Sequence, residues 1–379
     1  MEKNLFIDVA VCVGHDLYFT ATNSHCLYKI SIDTGIVRSV AVMMTKGMGT
    51  KRFAGAFFYN NRIWLVPWLE DYFWIYDIEA DSIKRLGIPK FIEKNDKGAI
   101  FRRSISVGKY IWLVPNWSKC VMRINMELES FDLYTDWPQG VVLSDTEPNF
   151  KCISYDVESE KLYLFREGCN KNIIVDTTSG QMEILDIPVQ GEFGCVKGNR
   201  IIVAPVNAGG TLRVFKIIED KRTVLEREIF LPKEICMEAT LYAYWYVDYI
   251  AGKWYILPHD ANAVLIMDKN LNLKIIDETK QCAIEKKQND VFSKYETIKI
   301  GSQIWILPFE GNQILALNEK DKVVNKIDLK ISMKEDKNEL EGLFAEILEK
   351  TAQRETCKDH CFDGRGKNIY EVMKYNRRI

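Results

Sequence analysis

A short apolar phrase recurs along the chain and predicts its architecture. Its clearest copies run from Ile63 to Pro67 and from Ile111 to Pro115, reading IWLVP in both places. Copies and weaker echoes of the phrase end at Ala21, Pro67, Pro115, Arg166, Pro205, Pro258 and Pro308. Strand-built repeats of roughly 40–50 residues are typical of β-propeller blades. The spacing predicts seven blades over residues 1–331.

The second unit illustrates the predicted blade. Residues 53–59 indicate an inner strand rich in small residues, and Asn60-Asn61 favours a tight hairpin. Residues 63–66 are apolar at every position, as expected for a middle strand that packs on adjacent blades with both faces. Residues 73–77 and 83–86 complete the sheet. We therefore predict an all-β fold, a seven-bladed β-propeller of four-stranded antiparallel blades, followed by a short C-terminal α-helical tail.

Two further patterns refine this prediction. The third strand of most units ends near an acid or an amide: Asp33, Asp77, Asn125, Asp176, Asp268 and Asn318. Such side chains usually accept hydrogen bonds from their own turn, so we interpret them as turn formers. Residues 5–13 have the character of an inner strand, so we expect the last blade to be complete without a strand borrowed from the N-terminus.

The hairpin followed by an aromatic, apolar strand resembles the kelch and galactose-oxidase-central-domain superfamily of propellers. The resemblance covers about residues 1–331 and rests on the blade period and on that phrase. The kelch double glycine with its spaced Tyr and Trp is absent, since Gly209-Gly210 follows the apolar strand instead. The resemblance implies a propeller, and propellers include enzymes, scaffolds and lectins, so it implies no single function.

After residue 331 the apolar period changes to that of a helix. One apolar stripe at helical spacing contains Leu340, Leu343, Phe344, Ile347 and Leu348. We predict residues 332–379 to be a helical extension that packs on the propeller or else pairs with another chain. Its Cys357, His360 and Cys361 are weak zinc-ligand candidates, because thiolates and imidazole suit zinc but three ligands within five residues are crowded. We expect no metal and no cofactor.

Composition narrows the class of partner and the compartment. The chain has 51 basic and 53 acidic residues, a net charge of −2, which favours neither nucleic acid nor a membrane surface as partner. No secretory signal and no apolar run of about 18 residues is present, so we expect no membrane insertion and a cytoplasmic protein. Cys12, Cys152 and Cys195 fall in predicted strands, where free thiols act as small hydrophobic groups.

The strongest candidate site is the face on which the inner strands begin. Basic and aromatic residues recur there and predict a pocket for an anionic small molecule or a glycan, because arginine grips carboxylate or phosphate and rings stack on sugars. The candidate ligand-binding residues are Arg52, Phe53, Phe101, Arg102, Arg103, Trp117, Lys151, Tyr244 and Lys294. Ordinary loop composition, with aromatic plugs and solvated charges, is the alternative interpretation.

No nucleophile elbow, phosphate loop or metalloprotease motif occurs in the chain. We therefore rank a non-catalytic binding or scaffold protein first, whose propeller face binds an anionic or carbohydrate-like ligand or a protein partner. The alternative is a propeller enzyme, a hydrolase or lyase acting on a glycan or sugar derivative. Its weak catalytic candidates are His259, Asp260, Glu310 and Glu167.

Overall fold

The chain folds into seven four-stranded antiparallel sheets, each with its strands in sequence order. The computed structural model describes residues 2–43, 51–89, 101–116, 118–144, 149–166, 169–188, 193–205, 210–235, 243–259, 261–279, 295–308, 312–332 and 338. The predicted all-β propeller of four-stranded blades is confirmed. The expected helical tail lies outside the described residues, apart from Asn338.

The strands follow one another along the chain as four per blade. A first short strand, β1 (Glu2–Asn4), precedes blade 1. Blades 1 to 4 consist of β2 (Ile7–Val13), β3 (Asp16–Ala21), β4 (Cys26–Ser31), β5 (Val37–Val42); β6 (Phe53–Tyr59), β7 (Arg62–Pro67), β8 (Tyr72–Asp77), β9 (Ser82–Gly87); β10 (Phe101–Val107), β11 (Tyr110–Pro115), β12 (Val121–Asn125), β13 (Ser130–Tyr134); and β14 (Phe150–Asp156), β15 (Lys161–Arg166), β16 (Lys171–Asp176), β17 (Met182–Asp186).

Blades 5 to 7 consist of β18 (Gly194–Lys197), β19 (Arg200–Val203), β20 (Thr211–Ile217), β21 (Thr223–Phe230); β22 (Tyr244–Ile250), β23 (Lys253–Pro258), β24 (Leu265–Met267), β25 (Leu273–Ile275); and β26 (Tyr295–Ile300), β27 (Gln303–Pro308), β28 (Gln313–Leu317), β29 (Val323–Asp328). A last strand, β30 (Lys330–Ser332), follows blade 7, and 3₁₀ turns cover Glu219–Lys221 and Asp277–Thr279.

Apolar side chains hold each blade against its neighbours. The second strand is buried on both faces, as its uninterrupted apolar pattern predicts, and in four blades it carries a buried tryptophan: Trp64, Trp112, Trp254 and Trp305. Clusters of buried side chains join blades 1 and 2, 2 and 3, 3 and 4, 4 to 6, 6 and 7, and 7 and 1. The blades therefore close into a complete ring.

A separate clasp covers the seam between blades 7 and 1. Strand β1 pairs antiparallel with β30, and the Leu5 amide donates to the Leu329 carbonyl at 2.9 Å. Leu5, Leu329 and Ile331 are buried in the core that blades 1 and 7 share. Blade 7 itself consists of β26 to β29, so the expectation that it borrows no N-terminal strand is confirmed.

Five of the six acids and amides predicted at the ends of the third strands form turns; the turn role of Asp33, which lies 3.8 Å from the His15 ring nitrogen Nδ1, stays a prediction. The Asp77 carboxylate accepts a hydrogen bond from the Ala80 amide at 3.0 Å, and Asn125, Asp176, Asp268 and Asn318 accept in the same way within their own turns. Backbone donors are the leading cause that lowers the pKa of Asp77, Asp176 and Asp268. These side chains therefore serve the fold.

The cysteines that the structure describes are free thiols that differ in burial. Cys12, Cys26, Cys120, Cys152, Cys169 and Cys195 are free thiols. Cys152 and Cys195 are buried, whereas Cys12 is half-buried. Within the described ranges, no helix has the length and apolar character that a membrane crossing requires.

The clasp generates a prediction about stability. Replacing Ile331, which is 3 % exposed, by alanine removes buried apolar volume at the seam. We expect the free energy of unfolding to fall by about 2–5 kcal/mol, measured by denaturant titration. The matched Ile36→Ala change, at a position 52 % exposed in blade 1, is expected to stay within about 0.5 kcal/mol of the parent. Equal effects of the two changes would contradict a closing role for the clasp.

Candidate functional site in the central channel

A β-bulge sets the direction of side chains at the start of the inner strands. In five blades the register against the second strand shifts between the first and third residues of the inner strand. In blade 3 this shift falls between Phe101 and Arg103, and in blade 6 between Tyr244 and Tyr246. A bulge adds one residue and re-aims the side chains beside it. Which residues face the axis is therefore decided two positions into the strand.

Three polar side chains consequently share one level of the channel. Arg103, Tyr246 and Glu296 each pair with the residue just before the proline that ends the second strand of their blade. In a ring of seven, blades 6 and 7 are the two that lie opposite blade 3. Arg103 therefore faces Tyr246 and Glu296 across the axis.

A cavity of about 190 Å³ surrounds these groups. Inner strands of six blades line it, and Lys51, just before β6, lies at its wall. We call the end of the ring at which the inner strands begin the mouth. The Lys51 ammonium lies 5.0 Å from the centre of the Trp68 ring, beside that mouth. The cavity thus has polar and cationic groups from several blades around one small space.

Arg103 is held without an ionic partner. Its guanidinium carbon lies 4.1 Å from the centre of the Tyr246 ring, a cation–π contact. Its Nε and the neighbouring Ser104 Oγ are buried and have no hydrogen-bond partner in the protein. Across the described part of the chain, no carboxylate comes within ion-pair distance of Arg103. Arg103 therefore lines the cavity with a ring contact but no carboxylate partner among the described residues.

Carboxyl groups lie on the opposite side. Glu296 lines the cavity, and the Thr297 hydroxyl donates to Asp248 at 2.5 Å. Protein surrounds Asp248, although part of its surface stays accessible. Burial is the main cause that raises the pKa of Asp248; the charge of Glu296 acts in the same direction, and Thr297 and Arg103 act against it. This side of the channel offers hydrogen-bond acceptors.

Arg52, a predicted ligand residue, lies in the joint between blades 1 and 2. Its side chain is 0 % exposed and its Nη2 donates to the carbonyls of Ala21 and Ser24. The Asp8 carboxylate accepts from the amides of Arg52 and Phe53 at 3.0 and 3.1 Å. Burial is the leading cause that raises the pKa of Asp8 and lowers the pKa of Arg52. In this conformation the pair fastens two blades.

The predicted aromatic ring exists, but it is buried. Phe53, Phe101 and Tyr244 occupy joints between successive blades, and Lys151 is buried as well. Arg102 lies on β10, and the structure describes its backbone but not its side chain. Among the predicted ligand residues whose side chains the structure describes, Arg103 lines the cavity. Ligand binding by the others stays a prediction.

Of the predicted catalytic and metal-ligand residues, the structure describes His259. His259 is 3 % exposed and stacks on Trp245, with ring centres 4.7 Å apart. Outside the described residues lie Asp260, Glu167, Glu310, Trp117, Lys294, Cys357, His360 and Cys361. Within the described residues, no group of three or more His, Cys, Asp or Glu side chains is arranged to hold a metal ion.

Sequence reasoning missed most of the channel. It did not select Ser104, Tyr246, Asp248, Glu296 or Thr297. Their signal was present, because polar residues interrupt inner strands that are otherwise apolar or small. Alternation alone does not identify the axial face, since the bulge shifts the pattern by one residue.

The buried joint generates a second prediction. Arg52→Ala removes the charged donor of two buried carbonyls, those of Ala21 and Ser24, so we expect the free energy of unfolding to fall by about 3–5 kcal/mol. Arg213→Ala is the matched control, since that arginine is exposed and pairs with Glu228 on the outer strands; its cost should be about 0–1 kcal/mol. Denaturant unfolding measures both. A stable Arg52→Ala protein would show that this arginine does not fasten the blades.

Asp248 generates a third prediction, about pH. Its pKa is raised from the ordinary 3.8, so the folded state keeps this proton at pH values where the unfolded state has lost it. Its contribution is therefore complete below the ordinary pKa and is lost as the pH rises through the raised pKa. Asp248→Asn does not titrate, so the free energy of unfolding should fall less steeply over that interval than in the parent.

Unfolding titrations across the acid range measure this slope. Asp33→Asn, at a side chain 71 % exposed, controls for the loss of one negative charge. Identical slopes for the parent and Asp248→Asn would contradict the shifted titration.

Comparison with known proteins supports the fold. No family model matches the chain, and no curated protein matches it. Virginiamycin B lyase from Staphylococcus aureus matches in structure with a TM-score of 0.56 and 14 % identity, over 82 % of this chain and 96 % of that one. YCF48 bound to D1 peptide matches with a TM-score of 0.55 and 10 % identity, over 83 % and 93 %.

A third similar structure is PorZ, a bacterial surface component of the type-IX secretion system of Porphyromonas gingivalis. Its TM-score is 0.52 at 10 % identity, over 88 % of this chain and 40 % of that one. Likeness at such identities carries the architecture and not the activity. The chain is thus similar to these structures in its seven-bladed β-propeller fold. Its membership of the kelch and galactose-oxidase superfamily stays a prediction.

Proposed function

We propose that this protein binds a small anionic, carbohydrate-like ligand in its central channel, with Arg103 as the anchor. One observation carries the proposal: Arg103 lines the cavity, with its guanidinium against the Tyr246 ring, and no carboxylate of the described residues pairs with it. A charged group in a partly enclosed space costs free energy unless it has a partner. An anionic ligand that binds the guanidinium from the cavity would supply that partner.

The setting of Arg103 favours an anion. The guanidinium presents planar, paired donors that fit carboxylate or phosphate. Protein partly encloses the cavity, and a lower local dielectric strengthens such bonds. The Tyr246 ring holds the guanidinium in place, so little side-chain entropy is lost on binding. Lys51 at the cavity wall adds a second positive charge.

The propeller fold fits a binding or scaffold role, because a rigid ring presents groups from many blades to one axis. The similar structures include proteins with more than one use: one of them is bound to a peptide and another is a lyase. In keeping with the sequence prediction, we place binding first and a kelch-like, cytoplasmic binding protein remains our working description.

A propeller enzyme acting on a sugar derivative is the second candidate. Glu296 and Asp248 favour it, because general acid–base chemistry needs one group that holds a proton and one that accepts it. The raised pKa of Asp248 suits the first role. Binding ranks higher because the predicted catalytic His259 is buried against Trp245, away from those residues that line the cavity.

The test is a ligand panel measured by thermal shift and isothermal titration. Its members are D-glucuronate, D-galacturonate, glucose 6-phosphate and the neutral sugars D-glucose and D-galactose. We expect at least one anionic sugar to bind the parent and Arg103→Gln to weaken it by about tenfold or more, since a charge-assisted hydrogen bond contributes about 1.5–3 kcal/mol. Following each mixture for product tests the enzymatic alternative as well.

Arg103→Lys and Arg213→Gln are the matched controls. Lysine keeps the charge but not the paired donors, so its affinity should lie between those of the parent and Arg103→Gln. Arg213 lies on β20, the third strand of blade 5, where it pairs with Glu228, and its change should leave binding intact. Binding that is unaffected by Arg103→Gln, or the absence of anion binding by the parent, would refute the proposed function.

A further inference from the structure

We propose that the ligand of this channel is a sugar acid of monosaccharide size, whose carboxylate binds Arg103 and whose hydroxyls donate to Glu296 on the opposite wall. This inference rests on the proposed function and deepens it. It follows from the distribution of donors and acceptors around the cavity, which is unequal on its two sides.

The cationic side comes from blades 2 and 3. Arg103 supplies a charged donor that no carboxylate of the described residues pairs with, and Lys51 lies at the same cavity. The paired N–H groups of a guanidinium suit the two oxygens of one carboxylate. A neutral sugar would leave the Arg103 charge without a negatively charged partner in a cavity that protein partly encloses, which costs free energy.

The opposite side consists of acceptors from blades 6 and 7. Glu296 lines the cavity, and Asp248 lies behind Thr297, whose hydroxyl donates to it. A carboxylate accepts hydrogen bonds and repels a second anion, so a ligand must bring hydroxyl or ammonium donors to this wall. A plain inorganic anion or an alkyl carboxylate has none.

Several features favour hydroxyls over an ammonium group. The polar residues Tyr246, Glu296 and Thr297 line the cavity from two blades, whereas one ammonium would engage one of them. The two oxygens of Glu296 can accept hydrogen bonds from more than one ligand hydroxyl. A ligand with several hydroxyls matches this spread.

The size of the cavity and its other walls fit a single sugar ring. About 190 Å³ equals the liquid volume of about six water molecules, and it is smaller than the roughly 300–1,000 Å³ of drug-sized pockets. Ala54, Ala56 and Ile153 supply apolar wall between the polar groups. The carbon–hydrogen face of a pyranose ring can rest on such a wall while its hydroxyls reach the acceptors.

The experiment compares four probes by isothermal titration with the full chain. D-Glucuronate has a carboxylate and hydroxyls, D-glucose has hydroxyls only, cyclohexanecarboxylate has a six-membered ring and a carboxylate only, and L-leucine has a carboxylate and an ammonium. D-Galacturonate repeats the first probe with one hydroxyl inverted. We expect one of the two sugar acids to bind about tenfold or more tightly than D-glucose, cyclohexanecarboxylate and L-leucine.

Two variants assign the two halves of the ligand. Arg103→Gln should remove the advantage of the sugar acid over D-glucose. Glu296→Gln should instead reduce its advantage over cyclohexanecarboxylate, because an amide is a weaker acceptor for a hydroxyl. Glu228→Gln, on the exposed outer strand of blade 5, is the matched control and should change neither ratio. The unfolding midpoint of each variant shows that it folds.

The outcomes separate this inference from the function beneath it. Equal, Arg103-dependent binding of the sugar acid and cyclohexanecarboxylate would overturn the sugar-acid inference and leave anion binding in place. Tighter binding of L-leucine would overturn it in favour of a zwitterion. Failure of all the carboxylates and of glucose 6-phosphate, or no effect of Arg103→Gln, would remove the proposed function together with the inference; binding of glucose 6-phosphate alone would overturn only the inference.

Discussion

The mutual burial of neighbouring blades is the constraint on which this structure depends. The middle strands are apolar on both faces, so a blade has no polar side that it could turn to water. A fully buried large apolar side chain contributes about 1.5–3 kcal/mol, and each joint contains several. Such sheets are satisfied only when every blade has a neighbour on both sides. Closure of blade 7 on blade 1, covered by the clasp, completes that requirement.

The same constraint explains why polar chemistry collects at the axis. Side chains that point into a joint must be apolar or hydrogen-bonded, as the buried Arg52 with its two carbonyl acceptors shows. The inner strands border the channel, where no further blade packs. Arg103, Glu296 and Thr297 are accepted there without loss of interblade contact. The channel is the part of the ring in which sequence is released from packing.

The sequence predicted the architecture well because blade chemistry is local. Hairpin residues, an apolar second strand and an acid at the turn all lie within one unit, and Asp77 and Asn125 act as predicted. The site was harder, because it depends on register. Arg52 and Arg103 look alike in sequence, yet one fastens a joint and the other borders the cavity. Both blades carry the same bulge, but Arg52 lies before it and Arg103 lies after it. These positions are defined by pairing between strands, which single-sequence patterns do not show.

The difference between the blades gives the channel a sense of direction. A perfectly repeated ring would present the same group seven times and could hold a guest in seven equivalent poses. Here the Arg103 side chain comes from blade 3 and the carboxyl groups come from blades 6 and 7, so each position around the axis presents a different group. The two ends of the ring are also distinct, so the cavity has no symmetry either around the axis or along it. Mirror-image guests would meet different partners, and the nearly symmetric scaffold would hold them with unequal affinity.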